Sequence, residues 1–138
     1  MIRGAVRWLL ALAYLGAGYL HLTSPGPFLK IMPPWVPAPA AVVAASGFAE
    51  LLGGIGLLQP WSAALRRAAG WGLALYALCV WPANFHHLAL DLAQPDYGLG
   101  WGYHLPRLFA QPLIIWLALW ASEATEWPLA RRNADRAR

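Results

Sequence analysis

The chain has 138 residues, of which 59% are hydrophobic and only 12% charged, and it carries 9 tryptophans. So few charges cannot cover a soluble domain of this size, and tryptophan concentrates at membrane–water boundaries, so the composition points to one integral membrane domain in a lipid bilayer. The net charge of +4 sits at segment ends, with no basic stripe to follow a phosphate backbone, which argues against a nucleic-acid partner; the single cysteine, Cys79, excludes dithiol chemistry by an internal pair.

Taken in order, the first predicted span covers residues 6–22, near the lower length limit for crossing a bilayer. Arg3 and Arg7 ahead of it resemble the start of a signal peptide, and Gly16-Ala17-Gly18 has the small residues of a cleavage site. The reading adopted is an uncleaved first helix. Thr23-Ser24-Pro25-Gly26-Pro27 is turn chemistry. The stretch from Phe28 to Pro39 is apolar but too rich in proline to span. Phe28, Ile31, Met32 and Trp35 share one face of a short helical turn. This stretch is expected to lie at the membrane surface, to fold back as a lid, or to pack as an ordered loop over the helix ends.

A second span is expected at residues 40–58, closed by Gln59-Pro60-Trp61, and a third at residues 68–90. Within the third, Pro82 frees the carbonyl of Leu78 and predicts a kink. Residues 91–103 read as a Gly- and Asp-containing loop. A fourth span is expected at residues 106–122, with Pro106 in its first turn, where proline is tolerated. Residues 123–138 read as a charged cytoplasmic tail. Eight basic residues (Arg3, Arg7, Arg66, Arg67, Arg131, Arg132, Arg136 and Arg138) fall on one side of this arrangement, and only Lys30 and Arg107 on the other. That asymmetry predicts a multi-pass protein of the cell membrane with both termini cytoplasmic. The expected fold is a single all-α domain, an integral membrane four-helix bundle with a Pro-rich outer loop between helices 1 and 2. Gly16, Gly18, Gly47, Gly53, Gly54, Gly56, Gly70 and Gly72 are expected to let the helices approach closely.

The polar residues are informative against this background. Glu50 lies inside an apolar, glycine-rich span, about 11 residues from its outer start and so roughly 16 Å deep. An ionised, unpaired carboxylate there costs about 2–4 kcal/mol, so Glu50 should face the protein interior or a wet cavity. All 4 histidines, His21, His86, His87 and His104, fall toward the outer side. Asn84, His87 and Asp91 share one helical face, with His86 pointing elsewhere, and Arg107 and Gln111 share another. An outward-facing polar pocket is therefore expected, built from His21, Glu50, Asn84, His87, Arg107 and Gln111 with Glu50 deepest. Plainer readings stand beside it. Glu50 would pair with a neighbouring helix to hold register, His21 and His87 would bond loop backbone, and Asn84 would cap groups freed by the kink. Spacing gives no metal motif, neither HxxxH nor HExxH, and the candidate ligands come from different helices, so no protein-ligated metal is expected.

Several motifs occur together: His21-x3-Pro25-x2-Phe28-x2-Ile31-x-Pro33-Pro34-Trp35-x-Pro37-x-Pro39; Ser46-Gly47-x2-Glu50-x2-Gly53-Gly54-x-Gly56-Leu57-Leu58; Arg67-x3-Trp71-Gly72 leading to Pro82-Ala83-Asn84; and Leu105-Pro106-Arg107-x3-Gln111-Pro112-Leu113-x2-Trp116. In order and spacing this resembles the DoxX-like family of small four-helix membrane proteins, over about residues 5–121. The resemblance implies polar family positions at His21, Glu50, Asn84, Arg107 and Gln111, and an association with membrane redox proteins. The His86-His87 pair and the longer loop after it depart from that family's pattern.

The expected function is an accessory or redox-associated membrane subunit with a pocket around Glu50. The alternatives are a quinone- or amphiphile-binding oxidoreductase component, with Glu50 exchanging a proton below the headgroup, or a small transporter, which four helices could form only as an oligomer. A membrane redox partner or a second copy of the chain is the expected protein partner. The sequence leaves open whether the protein is an enzyme.

Overall fold

A computed structural model describes residues 1–127. It contains five α-helices and, among the described residues, no strand: α1 (Ile2–Thr23), α2 (Gly26–Lys30), α3 (Pro39–Leu58), α4 (Ala63–Leu92) and α5 (Gly100–Ala121). Most of the expected tail, including Arg131, Arg132, Arg136 and Arg138, lies outside the described residues. Three helices, α1, α3 and α4, are long and apolar enough to cross a membrane by length and composition.

Helix ends follow the local chemistry. α1 stops at Ser24, one residue before Pro25. Pro39 opens α3, where its missing N–H costs nothing. Ser62 caps α4 by accepting from the Leu65 N–H at 3.2 Å. The Gln59 side chain ties the preceding turn, accepting from the Ser62 N–H (2.9 Å) and donating to the Ser62 carbonyl (2.7 Å). α4 runs through Pro82 without a break.

The last connection differs from expectation. α5 begins at Gly100, not residue 106, so Pro106 and Pro112 both lie inside it and the loop shrinks to residues 93–99. Two glycines with left-handed backbone, Gly98 (φ 52°) and Gly100 (φ 67°), make the sharp turn. The Asp91 carboxylate then accepts from the Leu99 N–H at 3.0 Å, anchoring the new helix to the end of α4. A tertiary anchor of this kind overrides the loop-like composition of the segment.

The four long helices form a ring in the order α1, α3, α4, α5, back to α1, and α2 packs against α3. At one end, Glu123 just past α5 receives Arg7 from α1 (2.7 Å) and Arg66 from α4 (2.8 Å), and Arg3 pairs with Glu126 through both guanidinium nitrogens (3.0 and 2.8 Å). The histidines lie toward the other end. An apolar core of Ala11, Tyr14, Leu57, Leu73, Ala74 and Ala118 packs between the long helices, with Tyr14 also bordering the cavity described below. Close approach occurs where α1 meets α3: a Cβ on Gly18 would lie 2.7 Å from the Gly47 carbonyl oxygen. Gly16 and Gly72, expected to serve the same purpose, face open space instead. Large apolar side chains such as Trp8, Leu12, Phe48, Ile55, Leu75, Leu78 and Phe109 point outward, the arrangement a hydrocarbon surround stabilises.

Candidate functional site

The histidine half of the ring is hollow. A cavity of about 650 Å³ is walled by all four long helices and by the Pro-rich segment after α2. Small-molecule sites commonly fall between roughly 300 and 1,000 Å³. The walls are mainly apolar, with Leu10, Val43, Val80 and Ile114 among them, and Phe28, Ile31, Met32 and Pro33 contribute from the Pro-rich side. That segment is therefore packed over the cavity rather than splayed away from it.

Five of the six sequence-predicted pocket residues line this cavity: His21, Glu50, Asn84, Arg107 and Gln111. They fall into two linked sets. In the first, Glu50 is buried (4% exposed), and the Tyr76 hydroxyl donates to its Oε1 at 2.9 Å. His21 Nδ1 lies 2.8 Å from Glu50 Oε2 and 2.9 Å from the Ala17 carbonyl oxygen. Two acceptors converge on that nitrogen, so it carries a proton. The well-aligned hydrogen bond goes to Ala17, and the Glu50 oxygen makes a close polar contact without that alignment. The His21 ring stacks on Phe28 at a centroid distance of 3.7 Å, coupling the covering segment to the carboxyl group.

In the second set, Asn84 Nδ2 donates to Gln111 Oε1 at 3.2 Å, and Gln111 Nε2 donates to the Ala77 carbonyl. All three lie in the buried interface of α4 with α5. The expectation that Asn84 caps backbone freed near Pro82 is corrected here. Asn84 donates to Gln111 on the facing helix, which takes up its amide, and the Gln111 amide reaches the Ala77 carbonyl, not the Leu78 carbonyl that Pro82 frees.

His87, the sixth candidate, is not part of the cavity wall. Arg107 Nη1 donates to His87 Nδ1 at 2.8 Å, and His87 Nε2 is 3.7 Å from Asp91 Oδ1. His104, fully buried, places Nε2 2.9 Å from Asp91 Oδ2. His87, Asp91, His104 and Arg107 thus form a separate group behind the cavity, with Arg107 reaching both. His86 belongs to neither. Sequence reasoning missed Tyr76 and Tyr14, both on the cavity wall. A tyrosine in an apolar helix gives no signal beyond packing until its partner 26 residues away is known.

Chemically, the cavity offers an apolar volume with a carboxyl, an imidazole and a phenol at one place, and amide and guanidinium donors at another. Such a site can hold a molecule with a polar head and an apolar body and exchange a proton with the head.

A family model described as a domain of unknown function, DUF8561, matches residues 10–125. The chain belongs to that family. The matched region of this DUF8561 protein takes in the whole cavity wall, from Leu10 to Ile114. No curated protein and no solved structure is significantly similar to the chain.

Proposed function

We propose that this DUF8561 protein is a four-span cell-membrane protein, with both termini cytoplasmic, that binds a quinone-like amphiphile as an accessory component of a membrane redox system. α1, α3, α4 and α5 are the spans in this reading. Its support is the apolar outer surface, the equal 22-residue lengths of α1 and α5, and the place of α5 in the ring. The resemblance to DoxX-like proteins enters on the same footing, as the source of the redox association.

The observation that carries the binding proposal is the cavity of about 650 Å³ with Glu50, His21 and Tyr76 joined at its wall. A quinone ring would accept hydrogen bonds from the free amide hydrogen of Asn84 and from Arg107. Its tail would run along Val43, Val80 and Ile114. When a quinol is oxidised it gives up two electrons and two protons. Glu50 is the nearby group suited to take one proton and His21 Nε2 the other, and both electrons would pass to a membrane redox partner.

The test is titration of the purified protein, in detergent, with a short-chain quinone, followed by tryptophan fluorescence. Saturable binding that weakens at least about tenfold in Glu50→Gln, with an unchanged melting temperature, supports the proposal. A second reading is favoured by one observation: Tyr76 already bonds Glu50, and Gln111 bonds both Asn84 and the Ala77 carbonyl, inter-helix contacts that a purely structural network would also make. In that case Glu50→Gln lowers the melting temperature and the wild type shows no saturable quinone binding.

A further inference from the structure

The group behind the cavity has a composition that the proposed function does not use. His87, Asp91 and His104 each bring one ligand-type atom to within 4.8 Å of the others. We propose that these three side chains form a binding site for a divalent first-row transition ion such as zinc.

The donor set is two imidazole nitrogens and one carboxylate oxygen, which suits zinc and its neighbours and leaves a further coordination position open. Ligands about 2.0–2.1 Å from a tetrahedral ion lie roughly 3.3 Å from one another. His104 Nε2 lies 2.9 Å from Asp91 Oδ2 and His87 Nε2 3.7 Å from the other carboxylate oxygen, Oδ1, and with one atom taken from each residue the set spans at most 4.8 Å, somewhat wider than that value. Small side-chain rotations would close the set on an ion without moving a helix.

The frame is also held in place. His87 and Asp91 are one turn apart on α4, and His104 comes from the early turns of α5. Asp91 is fixed by the Leu99 N–H, and Gly98 packs so tightly on it that a Cβ there would lie 2.6 Å from the carboxylate carbon. The His87 and His104 rings stand nearly perpendicular, 85° apart, at 4.8 Å between centroids. The His87 and Asp91 side chains keep 18% and 16% of their surface exposed, so an ion can enter.

Arg107 makes the site conditional. Its donation to His87 Nδ1 requires a lone pair on that nitrogen, which puts the ring proton on Nε2. An ion bound at Nε2 displaces that proton and leaves Nδ1 as the protonated nitrogen. Nδ1 can then no longer accept from the guanidinium, so Arg107 must let go. Because Arg107 also lines the cavity, occupation of the metal site would free a cation toward the cavity.

The experiment is isothermal titration of the full-length protein in nanodiscs with Zn²⁺ alone, repeated with Co²⁺ to read the ligand field by visible absorption. One ion per chain is expected. Asp91→Asn should weaken binding about tenfold or more, and the substituted amide oxygen still accepts from the Leu99 N–H, so the fold is kept. His104→Gln should do the same, with circular dichroism checking that this buried change is tolerated. His86→Gln, outside the group, should leave affinity unchanged. Arg107→Gln should tighten binding roughly threefold by removing a competing charge. The proposal is overturned if the folded wild type binds no stoichiometric Zn²⁺, if loss follows His86→Gln rather than Asp91→Asn, or if Arg107→Gln weakens binding.

Discussion

The Tyr76 hydroxyl on α4 donates to the Glu50 carboxyl on α3 across 2.9 Å, joining two neighbouring helices at the wall of the cavity. Removing the donor leaves a buried carboxyl oxygen without that partner. Tyr76→Phe should therefore destabilise the protein by about 1–3 kcal/mol, seen as a lower melting temperature in a tryptophan-fluorescence thermal scan. A melting temperature equal to wild type would show that the bond is not holding these helices.

The amide pair on the opposite wall should behave as a unit. Gln111→Leu strands the Asn84 amide and removes a side-chain donor from the Ala77 carbonyl, at a cost of about 1–3 kcal/mol. Adding Asn84→Leu removes the stranded amide, so the double variant should be less destabilised than the sum of the singles. Denaturation of the four proteins in one detergent measures the coupling. Strict additivity would contradict it.

Much of this arrangement was legible in the sequence, and the gaps have physical causes. Turn chemistry at Pro25, Pro39 and Pro60 marks helix boundaries because proline constrains the chain locally. The beginning of α5 was not legible: Gly98 and Gly100 read as loop residues, and the anchor that starts the helix there is Asp91, reached only through tertiary contact. Glu50 announced itself as a carboxyl in an apolar helix, and His21, Asn84, Arg107 and Gln111 could be assigned to the same outer half of the bundle from the order of the expected spans. His87 could not be separated from them, because its distance from the cavity depends on where Arg107 and Asp91 point. Tyr76 stayed hidden since an aromatic residue in an apolar helix usually only packs. The metal-type group likewise has no linear motif, as His104 joins it from another helix.

The glycines divide into two kinds. A Cβ at Gly70 would collide with the Ser122 side chain, whereas at Gly72 it meets nothing within 4 Å. Gly70→Ala should lower the melting temperature clearly. Gly72→Ala should leave it unchanged or raise stability by up to about 1 kcal/mol through helix propensity. Equal effects would contradict the packing described.

Stability at low pH should depend on Glu123. Burial pushes its carboxyl up, but hydrogen bonds from Arg66 and Arg7 and their charges outweigh this, and the net effect holds it below the usual carboxylate range. Its contribution is thus fully present above the unfolded value of about 4.3 and is lost as pH falls through the lower folded value. Glu123→Gln should lower the melting temperature at neutral pH and flatten its decline below about pH 4. A parallel decline in variant and wild type would exclude Glu123 as the source.

The cavity's role as an amphiphile site is tested most directly by photolabelling with a diazirine-bearing short-chain quinone, with labelled residues mapped by mass spectrometry. Labels are expected on cavity-wall residues such as Val43, Val80 and Ile114, suppressed by excess unlabelled quinone and reduced in Glu50→Gln. Labels confined to outward-facing residues such as Phe48, Ile55 and Phe109, insensitive to competitor, would contradict it.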